Sequence, residues 1–113
     1  MLQILHNPRC GKSRNCLAFF DESDTKYEVK LYLKTPLTVI ELKELILKLN
    51  IKPLDLVRQK ESVWIENYKG KSMDDLQIIQ AIAQNPILME RPIVISDTMA
   101  FIGRNLENLE KLR

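Results

Sequence analysis

Leu2-Gln3-Ile4-Leu5-His6-Asn7-Pro8-Arg9-Cys10-Gly11-Lys12-Ser13-Arg14-Asn15-Cys16-Leu17 changes structural character part-way along. Residues 2 to 6 read as a short strand that stops at Asn7-Pro8, since proline has no N–H to give a strand ladder. Residues 13 to 21 read as a helix with Cys16, Leu17, Phe19 and Phe20 on its apolar side. Residues 27 to 33 then alternate like a strand with one buried face. A strand, a helix and a strand favour a parallel pair joined by a crossover.

Pro36 breaks the chain after that unit. Thr38 and Glu41 form a capping-box pattern ahead of a helix to about Leu49. Pro53 starts a short helical piece through Val57. Ser72 and Asp75 resemble a second cap, leading into a helix to about Gln84 that Asn85-Pro86 ends. Residues 93 to 96 and 99 to 102 read as a hairpin with Asp97-Thr98 near its turn, and Leu106, Leu109 and Leu112 give a last helix one apolar stripe. The expected fold is α/β: a thioredoxin-like mixed four-stranded sheet flanked by helices. The chain is expected to be a single domain, 1–113, with a helical insertion at about 38–85 between the βαβ and ββα halves.

The 113 residues suffice for a core without disulfides or metal. A net charge of +2 gives no reason to expect nucleic acid or an anionic membrane as partner. No apolar run approaches the roughly 20 residues of a membrane span, and the start lacks the features of a signal peptide. A cytoplasmic location is therefore expected, and with it free thiols. Two cysteines and one histidine make a poor four-ligand zinc shell, so no metal is expected.

Cys10 stands where the strand has ended and the helix is about to begin. The first N–H groups of a helix lack internal partners and carry partial positive charge. A thiolate there is stabilised, so its pKa should lie below the free value of about 8.5. His6, Arg9, Lys12 and Arg14 add positive charge, and the same geometry suits an oxyanion. Gly11 lets backbone approach a ligand, and Ser13 can cap the helix or donate a hydrogen bond to the site. Six residues on, Cys16 is rotated by about 240°, which points to packing.

With these residues in view, the chain resembles the glutaredoxin-coupled arsenate reductase family. The likeness is carried by His6-Asn7-Pro8-Arg9-Cys10 with Lys12-Ser13-Arg14-Asn15, by Leu56-Val57-Arg58-Gln59-Lys60, by Asn85 to Ile95 including Arg91-Pro92, and by Ile102-Gly103-Arg104. These segments run in the family's order across essentially the whole chain. The resemblance implies Cys10 as nucleophile, His6 as the histidine favouring its thiolate, and Arg58, Arg91 and Arg104 around the oxyanion. Gly11 and Ser13 join the substrate site, with Arg14 and Pro92 as secondary candidates, and Pro92 would follow a cis peptide bond. It implies reduction of arsenate, or a similar oxyanion, by a monomer that binds no cofactor, uses glutathione as co-substrate and has glutaredoxin as partner. Two alternatives remain open. One is a regulator of this fold that binds RNA polymerase, although Ser13 replaces the second cysteine of the usual redox pair. The other is a glutathione-dependent thiol reductase of other substrate.

Overall fold

A computed structural model describes residues 1–103, so the helix expected around Leu106, Leu109 and Leu112 lies outside the described residues. The described residues divide into two compact units: residues 1–35 together with 91–103, and residues 36–90.

The first unit holds a four-stranded mixed sheet. Strands β1 (Leu2–Leu5), β2 (Tyr27–Lys30), β3 (Ile93–Ile95) and β4 (Ala100–Ile102) lie in the order β2-β1-β3-β4. β1 runs parallel to β2 and antiparallel to β3, and β3 and β4 form the hairpin, closed by the Ser96 N–H donating to the Met99 carbonyl at 2.8 Å. The position of β1 follows from its composition: Leu2, Ile4 and Leu5 are all buried, as a central strand requires. α1 (Gly11–Glu22) covers the sheet with Cys16 and Phe20, which join Leu2, Ile4 and Val94 in one apolar cluster.

β2 is shorter and more exposed than its alternation predicts. It ends at Lys30, and Val29 is exposed, because β2 is an edge strand. The chain then turns, with the Lys34 and Thr35 N–H groups both donating to the Leu31 carbonyl. Tyr32 is buried from that turn and not from a strand.

The second unit is helical: α2 (Val39–Leu49), α3 (Ser62–Asn67) and α4 (Asp75–Gln84), with 3-10 turns at Pro53–Leu56 and Pro86–Leu88. The Thr38–Glu41 capping box forms in both directions, at 3.2 and 3.0 Å. The second cap differs from expectation. Asp74, not Ser72, caps α4, and Gln77 returns the bond, both at 2.8 Å. α2 packs on α4, burying Leu42, Leu45 and Ile46 from one and Ile78, Ile79 and Ile82 from the other. α3 has no counterpart in the sequence reading; it is six residues long and buries only Trp64.

Candidate active site

The N-terminus of α1 begins two residues earlier than the apolar pattern suggests, at Gly11, which makes Cys10 itself the N-cap. The loop before it is tied down locally. The Asn7 side-chain oxygen accepts from the Arg9 N–H at 3.1 Å, and the Asn7 carbonyl accepts from the Cys10 N–H at 3.0 Å. This is the Asx-turn habit of asparagine. Arg14 reaches back from the helix to donate to the Pro8 carbonyl at 3.0 Å. Asn7 was not among the expected site residues; the signal for it was an asparagine opening a Pro-x-Cys turn.

Ser13 does not cap the helix. It is fully buried, and its Oγ lies 2.6 Å from His6 Nδ1 while accepting the Asn7 N–H at 3.1 Å. With that acceptor role taken, the hydroxyl proton is available to a neutral His6. His6 is held below its ordinary 6.5, first by burial and then by the Arg14 charge, which favours the neutral ring. His6 thus contacts the Cys10 loop through Ser13, with its neutral form favoured.

Cys10 is partly exposed. Burial alone would raise its pKa. The backbone N–H of Ser13, the Arg91 side chain and the backbone N–H of Lys12 all bond the sulfur, and together they hold the thiol below its ordinary 9.0. Arg91 also acts through its charge. The Arg91–Pro92 peptide is cis, and the Pro92 carbonyl accepts the Gly103 N–H at 2.7 Å. The outcome is a thiol at a helix N-terminus, shifted toward its thiolate form, with a guanidinium beside it.

Cys16 is 1% exposed, and burial pushes its thiol up to about 12. At Gly11 an added Cβ would meet only Arg14 Nη2, at 3.7 Å, so the opening turn is uncrowded.

The sequence matches the ArsC family over residues 5–112. The chain belongs to the ArsC family. It is 42% identical over 110 residues to the uncharacterized protein YfgD of Escherichia coli K12, covering 96% of this chain and 92% of that one. It is 39% identical to an arsenate reductase of Neisseria meningitidis, covering 96% and 95%. The structure of an arsenate reductase from Vibrio cholerae superposes with a TM-score of 0.93 at 35% identity, covering 99% and 97%. The Vibrio cholerae structure shares the thioredoxin-like fold described above.

Within this ArsC-family chain, Cys10, Gly11, Ser13, Arg14, His6, Arg91 and Pro92 all belong to the sheet unit. Arg58 belongs to the helical unit. It follows an isolated bridge between Val57 and Met89; its N–H donates to the Leu88 carbonyl at 2.6 Å, and its guanidinium pairs with Glu61 at 3.5 Å. Arg104 lies outside the described residues. Among the described residues, no helix is long and apolar enough to cross a membrane.

Proposed function

We propose that this protein reduces arsenate to arsenite, with Cys10 as nucleophile and glutathione and glutaredoxin as reductants. The observation that carries the reading is the Cys10 thiol, held below 9.0 by two backbone N–H groups and Arg91. In the first step the Cys10 thiolate attacks arsenic, a protonated oxygen leaves as water, and a thiolate–arsenic(V) ester forms. A glutathione thiolate then attacks the Cys10 sulfur. The sulfur–arsenic bond breaks, its electron pair stays on arsenic, and arsenite leaves after taking a proton. Glutaredoxin removes the glutathionyl group from Cys10 by thiol–disulfide exchange. Overall, arsenate and two thiols give arsenite, a disulfide and water.

Arg91 neutralises the oxyanion in this scheme, with Arg58 and Arg104 assigned the same role by resemblance. Arginine suits it because the guanidinium stays charged and offers a planar fork of donors. His6 acts as a positioning residue through Ser13. The second thiol comes from outside because Cys16 is buried and its pKa is near 12. The chain works as a monomer in the reducing cytoplasm and needs no bound cofactor.

The test is arsenate turnover with glutathione and glutaredoxin, for wild type, Cys10→Ser and Cys16→Ser. Arsenite should form with wild type and Cys16→Ser and be lost with Cys10→Ser. No turnover by wild type, or full turnover by Cys10→Ser, overturns the reading.

A further inference from the structure

Three cations lie within four residues of Cys10. Arg9, Lys12 and Arg14 are exposed, and Cys10 among them is partly exposed. The first turn of α1 holds no acidic residue. Among the described residues, neither Arg9 nor Lys12 is paired with a carboxylate, and Arg14 commits Nη1 to the Pro8 carbonyl, with Nη2 directed toward Gly11. The whole chain carries 17 basic against 15 acidic side chains, so a stretch of three cations with no acid is a local feature. The sulfur is already served by the N–H groups of Ser13 and Lys12 and by Arg91. The side chains of Arg9 and Lys12 are therefore left for something that approaches the sulfur from solvent.

We propose that the Arg9–Lys12–Arg14 rim docks the carboxylates of the incoming thiol, a small anionic peptide thiol of glutathione's class. This rests on the glutathione-dependent reading above. Glutathione carries two carboxylates and one ammonium group at neutral pH, a net negative charge that a rim of this sign attracts. The guanidinium forks pair with carboxylates, and the lysine adds a point charge. All three residues lie within four positions of Cys10, and in this proposal their pairing with the carboxylates brings the incoming thiol toward the Cys10 sulfur. The effect lies on the approach of the second substrate and not on the oxyanion, which the reading above assigns to Arg91.

The experiment follows thiol–disulfide exchange at Cys10 without arsenate. The Cys10 thiolate attacks one sulfur of the probe, the probe's S–S bond breaks, a mixed disulfide forms and a thiolate leaves. The probes are glutathione disulfide, which is anionic, and hydroxyethyl disulfide, which is neutral. The rate ratio between them cancels any change in the thiolate fraction of Cys10. In the double variant Arg9→Gln with Lys12→Gln, the ratio should fall roughly threefold to tenfold. For wild type it should also fall as salt is raised toward 0.5 M, since exposed charges are screened over about 10 Å at 0.1 M and less above that.

An unchanged ratio in the double variant overturns the proposal, as does an equal fall with both probes, which would mean that the cations act on the thiol alone. Because no arsenate is present, the two readings separate. A rim that discriminates in a protein without arsenate turnover sinks the functional reading only, and arsenate turnover with an unresponsive ratio sinks the docking surface only.

Discussion

Ser13 Oγ lies 2.6 Å from Nδ1 of His6, and the backbone N–H of the same serine bonds the Cys10 sulfur. One buried residue therefore links the only histidine to the Cys10 sulfur. Removing the hydroxyl in Ser13→Ala leaves the Asn7 N–H and His6 Nδ1 without their partner. Buried unsatisfied groups cost about 1–3 kcal/mol, so the urea midpoint should drop. A purely structural role would stop there. A positioning role also moves the pH midpoint of Cys10 alkylation upward, which iodoacetamide rates measure.

His6 gives a pH dependence whose sign is fixed. Its folded-state pKa lies below 6.5, through burial first and Arg14 second. Between that lowered value and 6.5 the unfolded chain binds more protons than the folded one, so stability rises with pH there. The contribution of neutral His6 is complete above 6.5 and is lost as pH falls below it. Urea midpoints for wild type should decline from about pH 7 to about pH 5.5, and His6→Gln should flatten that decline.

Cys16 should be silent in the native state. A thiol 1% exposed and raised to about 12 does not react at neutral pH. Ellman's reagent should find one thiol in the folded protein and two after unfolding. Cys16→Ala should keep turnover while lowering stability by about 1 kcal/mol, through a small cavity beside Phe20 and Val94. Fast titration of two native thiols would contradict this.

The cap of α2 offers a change in stability confined to the helical unit. Thr38→Ala removes the acceptor of the Glu41 N–H and should cost about 0.5–2 kcal/mol. Chemical denaturation measures it, and the alkylation midpoint of Cys10 should stay where it is.

Local rules read much of this fold correctly from the sequence. The Thr38–Glu41 box and the 93–102 hairpin depend on neighbours a few residues apart, which pattern reading resolves. Ser72 was a plausible cap because Asp74, two residues on, offers the same chemistry, and only the geometry of Gln77 decides between them. α3 escaped because six residues with one buried side chain hardly make a period. The residue alternation continues past Lys30 to Tyr32, yet the backbone turns at Leu31, so burial at Tyr32 mimics strand burial. In the site, Cys10 before a helix was legible. The approach of Arg91 to its sulfur was not legible from spacing, since tertiary folding joins residues far apart in the chain. Resemblance supplied that pairing, whereas the Ser13 link to His6 depends on a burial that only the structure reveals.

Arg91→Gln separates the two sources of thiolate stabilisation. It removes the guanidinium and leaves the Ser13 and Lys12 N–H groups in place. The Cys10 midpoint should rise without reaching the value of an unfolded thiol, and arsenate KM should rise with it. Arg91→Lys keeps the charge without the fork, and should recover the midpoint better than the KM.

The most direct measurement is the rate of Cys10 alkylation by iodoacetamide against pH, with and without arsenate. A thiolate nucleophile in an oxyanion site predicts a midpoint below that of the same thiol in the unfolded chain, and slower alkylation as arsenate is added. A midpoint at or above that of the unfolded chain, with a rate indifferent to arsenate, would contradict it.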